Sequence, residues 1–445
     1  MASTPKLIFL SFLVFISLCD AAVSSKPKAL VLSVSKDSAT LQYVTKLSVG
    51  TPLVEKSLVV DVGGQHFWMK CNEGYDSSTF RPSPCGSAAC SVANTRGCIT
   101  RCNPNLDISP RCHNNTCYVV SVETVHGKTE VGEISRDTIA LRSTDGTKAG
   151  PQVTIPNFIF ACANAWDISN LASGTKGMLG LGRFAIGMPM QLSSSFGGSF
   201  RRKFAICLPT SSESDGVIFF GDTPYLFYTN YNASEFVDLS SRFTHTRLYP
   251  NTILGSDIQI RGAPSPDHFV KVTSILVNQK PIPIDTKLLE FHRNGKGGTK
   301  ISTVVPYTTL ERSIFQALVK AFDEGIAVDN ATKVAPVAPF TECYATSSVP
   351  MMSGLGLMVP AITFVFENKN VQWKLYGVNS VVEIRHGLSC LAFLDGGEAP
   401  IPTTPIVIGA YQLQDHLLEF DLASSRMSFT HTLQLPDSQC SNIKL

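Results

Sequence analysis

Charge is scarce in this chain. Of 445 residues, 16% are Asp, Glu, Lys or Arg, against roughly 25% in an average soluble protein. The 37 basic and 35 acidic residues leave a formal net charge of +2. That balance builds no basic face for a polyanion, so nucleic acid is excluded as the main partner. Beyond the N-terminus no apolar run approaches the roughly 18 uninterrupted residues of a membrane helix, and no membrane span is expected. Metal-ligand spacing is missing too. The cysteines form no Cys-x-x-Cys pairs, and the histidines, among them His66, His126 and His245, are scattered. No metal or other cofactor is expected, and those histidines read as solvated or internally satisfied. No Gly-x-Ser-x-Gly elbow suggests a serine hydrolase. Tryptophan is rare, and Trp68, Trp166 and Trp373 read as core. An apolar content of 44% with little net charge excludes intrinsic disorder.

The N-terminus carries an address. Lys6 precedes the apolar run Leu7–Leu18, and small residues follow at Ala21 and Ala22. A basic residue, a short apolar core and a small-residue exit describe a secretory signal over residues 1–24. Of 13 cysteines, Cys19 leaves with it, and an even set remains: Cys71, Cys85, Cys90, Cys98, Cys102, Cys112, Cys117, Cys162, Cys207, Cys343, Cys390 and Cys440. In an oxidising compartment these are expected in disulfides, with pairing that spacing does not reveal. Sequons at Asn114, Asn232 and Asn330 are candidate glycosylation sites in surface loops.

Between turn signals run short β-branched and aromatic segments: Tyr43–Val49, Ser57–Val62, Val153–Ile155, Asn157–Ala161, Gly216–Phe220, His268–Val272, Ile362–Phe366 and Ile406–Ile408. Their density predicts an all-β fold. Helical periodicity is best over Glu311–Phe322. Length and a polar stretch at 222–240 suggest two lobes, 25–225 and 226–445.

Two strand-then-turn segments stand at comparable places in the halves: Val59-Val60-Asp61-Val62-Gly63-Gly64 and Thr299-Lys300-Ile301-Ser302-Thr303-Val304. Here the chain resembles the pepsin-like aspartic proteases, whose lobes each present an Asp-Thr/Ser-Gly turn. Gly177-Met178-Leu179-Gly180-Leu181-Gly182-Arg183, Phe204–Pro209 and Ile406–Ala410 followed by Glu419–Leu422 match blocks of the plant members in the same order. The resemblance implies a bilobal pepsin-like fold with a few short helices.

Aspartic proteolysis needs two carboxylates in contact sharing one proton. Measured against that pattern, the first turn has Asp61, but Val62 stands for the usual Thr and Gly64 for the Ser/Thr after the turn glycine. The bracing Thr hydroxyl is therefore expected to be lost. Ser302 falls where the second Asp belongs, and a serine hydroxyl does not ionise near neutral pH. In the hairpin that covers the cleft of such enzymes, Thr124 falls at the tyrosine position. Asp61, Ser302 and Thr124 are thus vestigial positions, and no proteolytic activity is expected. Asp61 reads as a turn-stabilising carboxylate accepting backbone N–H bonds.

Further segments resemble a plant subfamily of secreted, inactive pepsin-like proteins, which takes in xyloglucanase and xylanase inhibitors, extracellular dermal glycoproteins and basic 7S globulins. These segments are Lys28–Asp37, Val270–Asn278, Ser302–Leu310, Val334–Phe340 and Gln412–Asp415. The resemblance implies an apoplastic plant-defence role. The partner would be a microbial endoglucanase or xylanase, a xyloglucan-specific endoglucanase ahead of a xylanase, whose carboxylate-lined cleft receives loops of the C-terminal lobe. Lys333 stands near the position of one inhibitory arginine, keeping the charge without the bidentate fork. The second loop, around Pro402, Thr403 and Thr404, carries no cation. The C-terminal histidine of the xylanase inhibitors has no counterpart. A peptide- or protein-binding or storage-like module is the alternative, and residual aspartic proteolysis a third.

Overall fold

The computed structural model describes residues 26–443 except 73, 103–111, 164–167, 199, 230–234, 253–263, 328–330, 399–402 and 434–437. The signal segment 1–24, Trp166, Asn232, Asn330 and Pro402 lie outside the described residues.

Strands dominate, as the composition predicts, in a pepsin-like arrangement. Tyr43–Val49 illustrates why. Tyr43, Thr45, Leu47 and Val49 are buried while the residues between face outward, the period-two pattern of a strand with one face on a core. Tyr43–Val49, Ile362–Phe366 and Ile406–Ile408 have the expected bounds. Val153–Ile155 and Asn157–Ala161 are instead parts of one strand, Ala149–Cys162. Its pairing with Lys128–Thr144 shifts register between Asp137↔Phe158 and Ile139↔Ile155. Pro156 and Asn157 (φ 56°) fall in that bulge, where a missing N–H costs no ladder bond. The expected helix runs Arg312–Ala327. The Glu311 carboxylate starts it by accepting the N–H of Ser313 at 2.9 Å. Buried Ile326 continues its apolar face past the expected end at Phe322.

The halves repeat one motif. Val54–Asp61 lies parallel to Gly177–Gly180, with Asp61 opposite Gly180. Thr299–Ile301 lies parallel to Ile406–Ile408, with Ile301 opposite Ile408. Each is flanked on its other side by an antiparallel strand, Tyr43–Val49 and Phe269–Val270 respectively. A parallel pair requires a long crossover, and each half closes one around its turn. The end of the chain then returns to the first half. Leu417–Asp421 pairs with Lys203–Cys207, and the Cys207–Cys440 disulfide bolts that return across 233 residues. Strands from both halves thus share one sheet.

All twelve expected cysteines pair: Cys71–Cys162, Cys85–Cys98, Cys90–Cys117, Cys102–Cys112, Cys207–Cys440 and Cys343–Cys390. Asn114 is exposed, its Oδ1 accepting the Cys102 N–H at 2.7 Å.

Candidate functional site

The two mirrored turns meet where the halves join. Thr303 Oγ1 accepts the Val62 N–H at 3.0 Å and donates to the Val60 carbonyl at 2.7 Å. One brace therefore survives, and the expectation that bracing is lost holds only for the half where Val62 has no hydroxyl. Ser302 Oγ faces its own turn, accepting the N–H of Val304 at 3.3 Å and of Val305 at 3.2 Å. A hydroxyl used in this way fills a turn-stabilising role and supplies no second acid.

Asp61 is 4% exposed. Its Oδ1 accepts the Gly63 N–H at 3.0 Å, and its Oδ2 accepts the Thr124 hydroxyl at 2.5 Å. Burial pushes its carboxyl up to about 6. The Thr124 hydrogen bond opposes that rise, and the nearby Asp267 charge adds to it. Thr124 sits on the hairpin of Thr116–Glu123 and Lys128–Thr144. Buried Glu123 locks the hairpin tip by accepting the Val125 N–H at 2.6 Å and the His126 N–H at 3.1 Å. The tip is thus fastened to the residue it covers.

Space around Asp61 is correspondingly small. The cavity that it lines with Gly64, His66 and Trp68 holds about 10 Å³, at the limit for one water. Gly64 allows this packing: a Cβ there would stand 2.8 Å from Gly180 Cα and 2.9 Å from Asp61 Oδ2. The inter-lobe cleft is a different space of about 400 Å³. Gly63, Gln65, Thr124, Asp267, Lys300, Thr403 and Thr404 line it, and Asp61 does not.

Sequence reasoning missed the acid that does face this cleft. Asp267 packs against the first turn, for a Cβ on Gly63 would lie 2.3 Å from its Oδ1. Its carboxylate is already engaged, by the Ser265 hydroxyl at 2.9 Å and the Lys300 ammonium at 3.5 Å. Among the described residues no hydrogen bond joins Asp267 to Asp61. Two carboxylates share a proton only in contact, so this second acid does not form the missing pair. No motif surrounds Asp267 in the sequence; tertiary folding alone brings it there. Thr303 did carry a signal, since it follows Ser302 where a Thr follows the Asp of an intact turn.

The inhibitory-loop candidates fall apart in space. Thr403 and Thr404 stand on the cleft wall, and the Thr403 carbonyl accepts the Gly297 N–H at 2.9 Å. Lys333 lies on the separate four-stranded sheet with Cys343–Ala345. Its ammonium is shared by Asp323, at 2.7 Å, and Glu342. Those carboxylates hold its pKa above the usual lysine value despite partial desolvation.

His66, His126 and His245 each have an internal partner. His66 bonds Ser121 Oγ at 2.8 Å, His126 the Glu123 carboxylate, and His245 Ser428 Oγ at 2.9 Å. Among the described residues no cluster of three His, Cys, Asp or Glu could hold a metal, and no helix is long and apolar enough to cross a membrane.

Comparison with known proteins places this geometry. Residues 43–222 match the family model described as xylanase inhibitor N-terminal, and 267–431 the one described as xylanase inhibitor C-terminal. "Probable aspartic proteinase GIP2" of Nicotiana benthamiana is 42% identical, covering 98% of this chain and 96% of its own. Gamma conglutin 1 of Prunus dulcis is 36% identical over 98% of this chain and 95% of its own. The crystal structure of edgp superposes with a TM-score of 0.88 at 42% identity, covering 95% of this chain and 99% of that one. For the fold alone, the aspartic proteinase of Irpex lacteus superposes at 0.56 and 14% identity, covering 91% and 98%. With both models matched, and relatives of such identity covered almost end to end, the chain belongs to the xylanase-inhibitor-like family of pepsin-fold proteins.

Proposed function

We propose that this is a secreted, proteolytically inactive pepsin-fold protein that inhibits a microbial cell-wall-degrading glycoside hydrolase. The target is a xyloglucan-specific endoglucanase rather than a xylanase. One observation carries the loss of proteolysis: Asp61 faces Thr124, and Ser302 stands where a second carboxylate would be needed. A single acid cannot activate water and polarise the scissile carbonyl at once. The family description supports the inhibitory role. Six disulfides support secretion into an oxidising compartment.

Inhibition works through C-lobe loops entering the enzyme's carboxylate-lined cleft. Lys333 can take part only by exchanging its internal carboxylates for the enzyme's, so its net contribution is small. A Lys333→Met variant should weaken inhibition less than about tenfold. The defining experiment titrates a panel of purified microbial xyloglucanases and xylanases with the protein and follows reducing-sugar release. Stoichiometric loss of xyloglucanase activity is expected. Full activity of every enzyme with the protein in excess contradicts the reading.

One observation favours a second reading. Lys333 is already neutralised, and the loop around Thr403 and Thr404 brings no cation. A binding or storage-like module, a role the name of the basic 7S globulin relative suggests, needs neither. It predicts no inhibition in the panel together with a saturable peptide or protein ligand.

A further inference from the structure

A second cavity of about 470 Å³ lies beside the covering hairpin, within the roughly 300–1,000 Å³ of small-molecule sites. One wall is the short helix Ala88–Val92 with the residues after it. The opposite wall is Val119 and Val120 of the hairpin, and the floor is the segment Arg183–Ile186. Asp61 has no part in it.

Three features narrow what could bind there. First, the walls are mostly apolar, and Val92 on the rim is 44% exposed, an unpartnered aliphatic surface. Second, among the described residues Arg183 is the only permanently charged one lining the space. Its Nη1 donates to the Tyr249 carbonyl at 3.0 Å, which fixes the guanidinium. Among the described residues Arg183 has no ion pair, and its Nε and Nη2 have no hydrogen bond. A planar guanidinium fixed at one edge with donors to spare is suited to a carboxylate. The other ionisable lining group, His66, is buried and held neutral, so it adds no competing charge. Third, the cavity is braced. The Cys90–Cys117 disulfide ties the helix to the hairpin strand, and Cys85–Cys98 ties the flanking loop. A preformed site loses less freedom on binding than one that must assemble.

We propose that this cavity binds a small amphipathic monocarboxylate. The carboxylate rests on Arg183 and the apolar body lies between Val92, Val119 and Phe184. The Gly177–Gly182 turn places Arg183 there: Gly182 N–H donates to the Gly64 carbonyl at 2.8 Å, and Arg183 N–H to the Pro266 carbonyl at 3.1 Å. The residue is thus held between the two halves.

The test is isothermal titration calorimetry of the full chain with phenylbutyrate and, separately, with phenylbutyramide. The expected result is one saturable site for the acid and at least tenfold weaker binding of the amide. Arg183→Gln should lose at least tenfold, and Arg183→Lys should recover part of it. Because Arg183 also braces Tyr249, the second variant is Ala93→Trp, which fills the cavity and leaves the guanidinium in place; it should abolish binding. A tripeptide with a free C-terminal Phe distinguishes the source of the carboxylate. Tighter binding than phenylbutyrate assigns the site to peptide C-termini, and weaker binding assigns it to free acids. No saturable heat at millimolar acid, equal affinity for acid and amide, or full binding by Ala93→Trp overturns the proposal.

Discussion

The two turns at the centre of the molecule depart from the pepsin pattern in complementary ways. The first has the acid, Asp61, but Val62 leaves it without a hydroxyl to brace its neighbour. The second has the brace, Thr303, bonded to Val62 N and Val60 O, but Ser302 leaves it without an acid. What holds the halves together and what would cut a peptide are therefore separable here. The brace links two strand ends and needs only one hydroxyl between buried backbone groups. The chemistry needs both carboxylates, and the surviving one is covered by Thr124 and shut off from the cleft.

The largest effects expected come from pH, and they set the two turns against their surroundings. His66, His268 and His416 are all buried with pKa pushed down by burial to about 4. A base depressed in the folded state contributes stability above its unfolded pKa of about 6.5. That stability is lost as pH falls through the folded value. Asp61 acts in the opposite sense. Its folded pKa of about 6 exceeds the usual carboxylate value, so its contribution is full below about pH 4 and is lost as pH rises through 6. Three histidines outweigh one aspartate. Urea midpoints should fall by an amount worth several kcal/mol between about pH 6.5 and pH 4. A midpoint that rises over that window would reverse the balance drawn here.

Next comes the brace. Thr303→Val leaves the Val62 N–H and Val60 carbonyl buried without a partner, at roughly 1–3 kcal/mol for each group. Equilibrium unfolding should register a loss of about 2–6 kcal/mol. A neutral result would mean that the halves are held by their shared sheet and the Cys207–Cys440 bond alone.

Smaller, and of the other sign, is Asp61→Asn. The amide Oδ1 keeps an acceptor for the Gly63 N–H, and its Nδ2 donates to the Thr124 hydroxyl oxygen, without a buried charge. It should stabilise the fold at pH 7 by up to about 3 kcal/mol, since burial pushes the wild-type carboxyl up to about 6. The difference should vanish below about pH 4, where wild-type Asp61 is protonated both folded and unfolded. A destabilised Asn variant at pH 7 would show that the ionised carboxylate is the form this turn needs.

How much of this was legible in the sequence divides along the same line. Tyr43–Val49 and Ile406–Ile408 were readable because period-two burial and β-branching are local signals. Asp61 and Ser302 were readable because one ends the strand Val54–Asp61 and the other directly follows Thr299–Ile301. Thr124 could be placed by counting along a hairpin, and its hydroxyl does reach Asp61. Asp267 could not be found, since only the joining of the halves sets it against Gly63. Nor could the commitment of Lys333, because Asp323 and Glu342 come from a helix and a strand end whose packing the sequence does not state. Cysteine pairing stays open in the sequence for the same reason: spacing does not fix which ends of a sheet meet.

Acid proteolysis tests the central claim most directly. Wild-type protein and Ser302→Asp would be incubated with an unfolded casein substrate between about pH 3 and pH 6, the range in which acid pairs of this kind work, with and without pepstatin. The account predicts no cleavage above the blank for either protein, since Val62 and the Thr124 clasp remain in both. Pepstatin-sensitive cleavage by the wild-type chain, or robust cleavage by the single Ser302→Asp variant, would contradict it.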